Sequence, residues 1–195
     1  MTRKAAKLVR ILTIPPVMVV VLFFALYSER TVFLRTADMI VVFLCLAILP
    51  VLAYPLQKLV PAWRAGGRRA QRNLAFVLSV TGYIAAVAYC LLAAVGKNLI
   101  YVAVVYLLSV VVLTLWNALT PFHASGHACG IAGPILLICL FIGNWRAIVP
   151  GVALFLLALW ASLVLKRHDL REFLLGALCS VLTALAVYLL MQPIF

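Results

Sequence analysis

Two polar islands interrupt an apolar chain and hold all three of its histidines. They are Phe122-His123-Ala124-Ser125-Gly126-His127-Ala128-Cys129-Gly130 and Lys166-Arg167-His168-Asp169-Leu170-Arg171-Glu172. Imidazole is the side chain whose ordinary charge change falls near neutral pH, so a pair of them suits proton transfer and nucleophilic attack. His127 follows Ser125, a good N-cap, at the start of an apolar run. The free N–H groups and positive end of a helix there attract an anion. Gly126 lets a bound oxyanion come close to the backbone. Glu172 stands four residues after His168, one helical turn on. Its carboxylate can hold one ring nitrogen and leave the other nucleophilic.

What must position these residues is a membrane bundle. The 195 residues are 68% hydrophobic and 10% charged, whereas globular domains run nearer half apolar and a quarter charged. A hydrocarbon layer about 30 Å thick takes roughly 20 apolar residues per helix. The chain therefore holds six or seven crossings in one membrane-embedded, all-α domain, with no room for a soluble one. The first apolar run shows no small-x-small cleavage site and is retained as a helix. The net charge of +12 reflects Lys and Arg flanking helix ends and excludes a nucleic-acid partner, since no soluble basic face exists to carry one. Cys45, Cys90, Cys129, Cys139 and Cys179 lie inside apolar runs without a CxxC pair. They read as buried small residues, with neither disulfide nor metal site.

In order, the apolar runs are about 11–27, 37–54, 74–95, 99–116, 128–142, 148–165 and 173–191. Between the second and third lies the longest polar stretch, Gln57 to Asn73, read as a loop with Lys58, Arg64, Arg68, Arg69, Arg72 and the pair Gly66-Gly67. Seven crossings bring the N-terminus, this arginine stretch and both histidine islands to one side. The N-terminus and the arginine stretch carry nine Lys and Arg between them, so that side is expected to be the cytoplasm. Ionisable groups gathered at membrane depth usually mark function. No pair of broken helices in inverted repeats is apparent, which argues against a transporter.

Ser125-Gly126-His127-Ala128 resembles the second signature of the PAP2 superfamily, the type 2 phosphatidic acid phosphatases and vanadium haloperoxidases. Arg167-His168-Asp169-Leu170-Arg171-Glu172-Phe173-Leu174-Leu175-Gly176-Ala177 is similar to its third: histidine, three residues, an acid, then a Gly-Ala helix. One helical hairpin separates the two, as in that superfamily. The resemblance runs from about Asn117 to the C-terminus, which makes residues 117–195 the core and 1–116 the preceding helices.

The resemblance implies a lipid-phosphate phosphatase without metal or cofactor. His168 would attack phosphorus, His127 would protonate the leaving oxygen, and Glu172 would orient His168. Ser125, Gly126 and nearby basic residues would bind the phosphoryl oxygens. The chain departs from the pattern in four places. Ala124 replaces a proline and Glu172 an aspartate; Ser162 stands where an arginine precedes the third-signature histidine, with Lys166 or Arg167 as substitutes; and the first signature is absent. Some prokaryotic relatives carry instead an arginine stretch two helices earlier, which Gly67-Arg68-Arg69-Ala70-Gln71-Arg72 resembles. Arg69 and Arg72 are then the expected clamps, with Arg68 in reserve. His123 stands where those relatives often have a lysine, a further phosphate contact. The expected partners are a lipid phosphate (isoprenyl phosphate or diphosphate, phosphatidic acid or phosphatidylglycerophosphate) and the surrounding lipids. A non-catalytic relative and a transporter remain the rival readings, and the oligomeric state is open.

Overall fold

The computed structural model describes residues 2–27, 29 and 31–192, apart from the side chains of Ala62 and Arg68. Every regular element among them is a helix: α1 Thr2–Leu12, α2 Pro15–Ala25, α3 Thr36–Phe43, a π-helical turn Leu44–Ile48, α4 Leu49–Val51, α5 Ala53–Leu59, α6 Pro61–Ala65, α7 Gly67–Leu92, α8 Lys97–Leu119, α9 Gly126–Ile142, α10 Trp145–Val164 and α11 Leu170–Met191.

Four of them, α7, α8, α10 and α11, are long and apolar enough to cross a membrane, and α9 is a shorter apolar helix. Two more crossings result if each of two bent pairs counts as one. Their surface agrees with a lipid solvent: Leu92, Phe24 and Leu190 are 88%, 85% and 83% exposed, a cost in water that hydrocarbon removes.

Both bent pairs correct the straight-helix expectation. The first run breaks at Thr13-Ile14, and α1 turns 62° from α2. The cause is Pro15-Pro16: a proline starts a helix well, but the residue before it is pushed out of the helical region. Ile14 accordingly takes φ −63°, ψ 148°. Helix α1 carries Arg3, Lys4, Lys7 and Arg10 on one side and packs against α10. The second run bends by 42° between α4 and α5, just after the π turn and Pro50, two recognised causes of a kink.

The stretch Gln57–Asn73 is helical as well, spread over α5, α6 and the first turns of α7. Arginine, alanine and glutamine favour helix, and a helix that leaves the apolar layer simply becomes polar. Gly67, at φ +57°, supplies the left-handed residue that turns the chain from α6 into α7.

The histidine-bearing helices are held side by side. α11 packs on α9 and α8, and α9 also meets α2 and α10. Small residues allow the approach. A Cβ on Gly176 would collide with the backbone of Ser125, and one on Gly130 with the ring of Pro15. Ser180 locks the pair, donating to the Cys129 carbonyl at 2.8 Å and lying 3.0 Å from the Cys129 thiol. Elsewhere the main core gathers Val19, Leu22, Leu46, Tyr101 and Val102, with the Tyr101 hydroxyl donating to the Ala184 carbonyl at 3.0 Å.

Candidate active site

The turn before α9 is fixed from three directions. Asn117 grips Ala124 on both sides, its amide donating to the Ala124 carbonyl at 3.1 Å and its oxygen accepting from the Ala124 N–H at 2.6 Å. The Trp116 indole donates to the Phe122 carbonyl at 3.0 Å. The Ser125 N–H donates to the Glu172 carbonyl at 2.9 Å, tying this turn to the first turn of α11. Ser125 is wholly buried and caps α9, its hydroxyl accepting from the Ala128 N–H at 3.3 Å. Ser125, wholly buried and absent from the wall of the cavity described below, positions the turn; the structure does not bring it to the place where it was expected to meet phosphate. The Gly126 and His127 N–H groups belong to the open first turn of the helix, and Gly126 lines the cavity described below.

His168 precedes α11, whose N-cap is Asp169. It therefore sits just outside that helix. The Asp169 carboxylate accepts from the Glu172 N–H at 2.7 Å. In a capping box the third-position acid would reach back to the N-cap. Here Glu172 turns to His168 instead, accepting from Nδ1 at 2.8 Å. A carboxylate on Nδ1–H leaves the lone pair on Nε2.

His127 Nε2 lies 3.2 Å from the Thr13 hydroxyl, a contact across 114 positions. That hydroxyl donates its own proton to the Val9 carbonyl at 2.8 Å, with the Arg10 carbonyl at 3.5 Å. In the tautomer that completes this contact the imidazole donates from Nε2–H, whereas the Glu172 contact at Nδ1 favours a lone pair on Nε2 of His168.

Both line one cavity of about 600 Å³, with Arg10 from α1, Arg72 from α7 and Arg167 from the α10–α11 connection. Among the described residues no carboxylate is part of its wall. Three guanidinium groups beside a helix N-terminus make an anion site. Below them the wall is apolar or hydroxylic, with Phe76, Leu113, Val110, Tyr83, Tyr106 and Ser109. Tyr54 and Phe76, 42% and 46% exposed, bring it to the outer surface of the bundle.

The remaining expected residues fall outside. Arg69 is exposed and does not line the cavity, while Arg72, one turn further into α7, does. His123 is exposed on the turn and likewise absent from the wall. Lys166 faces an adjoining groove with Arg3, Lys7, Arg10 and Arg167. The Arg68 side chain lies outside the described residues. Ser162 is buried with no hydrogen-bond partner for its hydroxyl. Sequence reasoning missed Arg10, which counted only as part of a basic N-terminus, and Thr13, which fell within the first apolar run. Their approach needs the Pro15 bend, and that proline pair was the available signal. Among the described residues no three of His, Cys, Asp and Glu gather as a metal site. The chain matches no family model, no curated protein and no solved structure.

Proposed function

We propose that the chain is an integral-membrane phosphatase acting on a lipid phosphate, with the PAP2-like core that its two histidine islands resemble and six or seven crossings. The observation that carries this reading is the pairing of His168, held by Glu172 at 2.8 Å, with His127 in one cavity where, among the described residues, the charged wall residues besides the histidines are three arginines.

In this reading the phosphate sits among Arg10, Arg72 and Arg167, with Gly126 beneath it. His168 Nε2 attacks phosphorus; the new N–P bond forms as the P–O bond to the lipid breaks. His127, protonated to imidazolium beside the bound phosphate anion, gives its Nε2 proton to the departing oxygen and is left as neutral imidazole. It then takes a proton from water, whose oxygen displaces His168 and releases phosphate. Glu172 keeps Nδ1–H of His168 in place and offsets the charge of the phosphoimidazole. The arginines stabilise the transferring phosphoryl group, where positioning and charge supply most of the acceleration. The resemblance expects a guanidinium at Ser162. Arg10, on a helix that packs against α10, brings one to the cavity instead. The basic N-terminus and arginine stretch favour the cytoplasmic side for the site, by the bias of Lys and Arg toward that face. A lipid tail would leave the cavity near Tyr54 and Phe76.

The two bent helix pairs favour a second reading, a transporter with broken spans. Both breaks fall within the first sixty residues, and so do not form the paired halves that such carriers use. One experiment separates the readings. Purified protein in proteoliposomes should release phosphate from lipid phosphates, and both His168→Ala and His127→Ala should abolish that release. Anion flux without phosphate release would establish the transporter, and release that survives both substitutions would remove the histidines from the chemistry.

A further inference from the structure

Helix α1 shows three faces. Ala6 and Thr13 are buried against the bundle, and Arg3, Lys7 and Arg10, at i, i+4 and i+7, share a neighbouring face that lines a groove. Leu8, Ile11 and Leu12, at i, i+3 and i+4, are each more than half exposed. Because α1 turns 62° from α2, it departs from the direction of that span. A basic stripe beside an apolar one on such a helix suits the headgroup layer of a bilayer. Across the groove stand Leu165, Lys166 and Arg167 of the α10–α11 connection. The groove has about 720 Å³ of space, and among the described residues it gathers five cations and no carboxylate. Gathering like charges costs free energy that an anion between them offsets. Lys166 points the same way. Its φ of +50° is the left-handed position after a helix that glycine ordinarily takes, and the next N–H, that of Arg167, donates to the Ser162 carbonyl at 3.2 Å. A lysine stands there although glycine would suit the backbone better.

We infer that this groove binds the headgroup phosphate of an anionic phospholipid other than the substrate, with α1 lying in the headgroup layer and Leu8, Ile11 and Leu12 reaching the hydrocarbon. Charge complementarity and the apolar stripe together select that occupant. A soluble acidic protein would meet the cations and leave the stripe uncovered. A second copy of the chain has little acid to offer: of its four acids, Asp38 holds Arg35, Glu172 holds His168 and Asp169 caps α11. A phospholipid brings anion and hydrocarbon in one molecule, at the level where both are wanted. Each cation close to an anionic lipid surface contributes about fivefold in affinity. The site does not depend on the phosphatase reading, since Arg3, Lys7 and Lys166 line the groove and not the histidine cavity.

The test uses the full chain in nonionic detergent and native mass spectrometry, titrated with dioleoyl phosphatidylglycerol, dioleoyl phosphatidylcholine or inorganic phosphate. Phosphatidylglycerol is a phosphodiester, so a monoester phosphatase leaves it intact. The expected result is one retained phosphatidylglycerol, preferred about tenfold or more over phosphatidylcholine and not displaced by inorganic phosphate. Lys7→Gln and Arg3→Gln should each lower its affinity about fivefold. Lys4→Gln removes the same charge from the same helix but not from the groove, and should lower it less than about twofold. Equal losses in all three variants would reduce the groove to diffuse charge, and equal retention of both lipids would make it ordinary hydrocarbon contact. Displacement by inorganic phosphate would make it a free-anion site. A loss in Arg72→Gln with none in Lys7→Gln would put the lipid in the histidine cavity. A dimer that Lys7→Gln dissociates, with no lipid retained, would give the groove to a second copy. Each of these overturns the proposal. Arg3 and Lys7 are exposed, so both variants should keep the parent's melting temperature, and either one carries the test if the other unfolds.

Discussion

The two ends of helix α7 treat charge in opposite ways. Near its C-terminal end, the buried Asp38 is fully satisfied: Arg35 Nε donates to one carboxylate oxygen and the Tyr89 hydroxyl to the other, each at 2.7 Å. Arg35 spends another N–H on the Ala93 carbonyl at 3.1 Å, so the cluster closes on itself. At the N-terminal end, some 25 Å away along the helix, Arg72 joins Arg10, Arg167 and two histidines around open space, and Arg10 Nη1 is buried without an acceptor. A closed cluster ties helices together and wants nothing further. An open cluster of one sign, with no carboxylate beside it among the described residues, suits a small anion, and that is the mark of a binding site.

This contrast can be broken by substitution, starting with the largest effect. Removing either imidazole at the open end should lower phosphate release by about a thousandfold or more, with helicity and melting temperature retained. Next, Arg10→Ala should cost about a hundredfold in kcat/KM and weaken vanadate inhibition, since it removes one guanidinium from a site with three. Unchanged inhibition would take α1 out of the site. At the closed end, Asp38→Asn should leave kcat per folded molecule unaltered and instead destabilise the fold by about 2 kcal/mol, read as earlier thermal unfolding in detergent. Loss of turnover without loss of stability there would erase the distinction between the ends. Smallest of all, Arg69→Ala should change kcat/KM by less than about twofold, in contrast to Arg72→Ala, because only Arg72 reaches the cavity wall.

Much of this is legible in the chain because the relevant spacings are local. The His168–Glu172 contact follows from four residues at a helix start, and the Ser125 cap from a serine before an apolar run. The apolar runs correspond to helices because hydrocarbon leaves the backbone no other way to satisfy itself. What stayed hidden depends on bends and on long-range approach. Thr13 meets His127 only because the chain turns before Pro15. The arginines of 68–72 belong to a helix because nothing obliges a polar segment outside the apolar layer to be a loop. The distinction between Arg69 and Arg72, three residues and about 4.5 Å apart along α7, emerges only once the neighbours of α7 fix the level at which the cavity opens.

The central claim is that His168 becomes phosphorylated in turnover. The direct measurement is rapid quench of the purified protein with a radiolabelled lipid phosphate, followed by peptide mapping. The account predicts an acid-labile, base-stable phosphoryl group on His168 that accumulates in His127→Ala, if the missing proton donor and acceptor slows hydrolysis more than attack, and that is absent in His168→Ala. Phosphate release by the parent with no label on His168, or with release undiminished in His168→Ala, would contradict it.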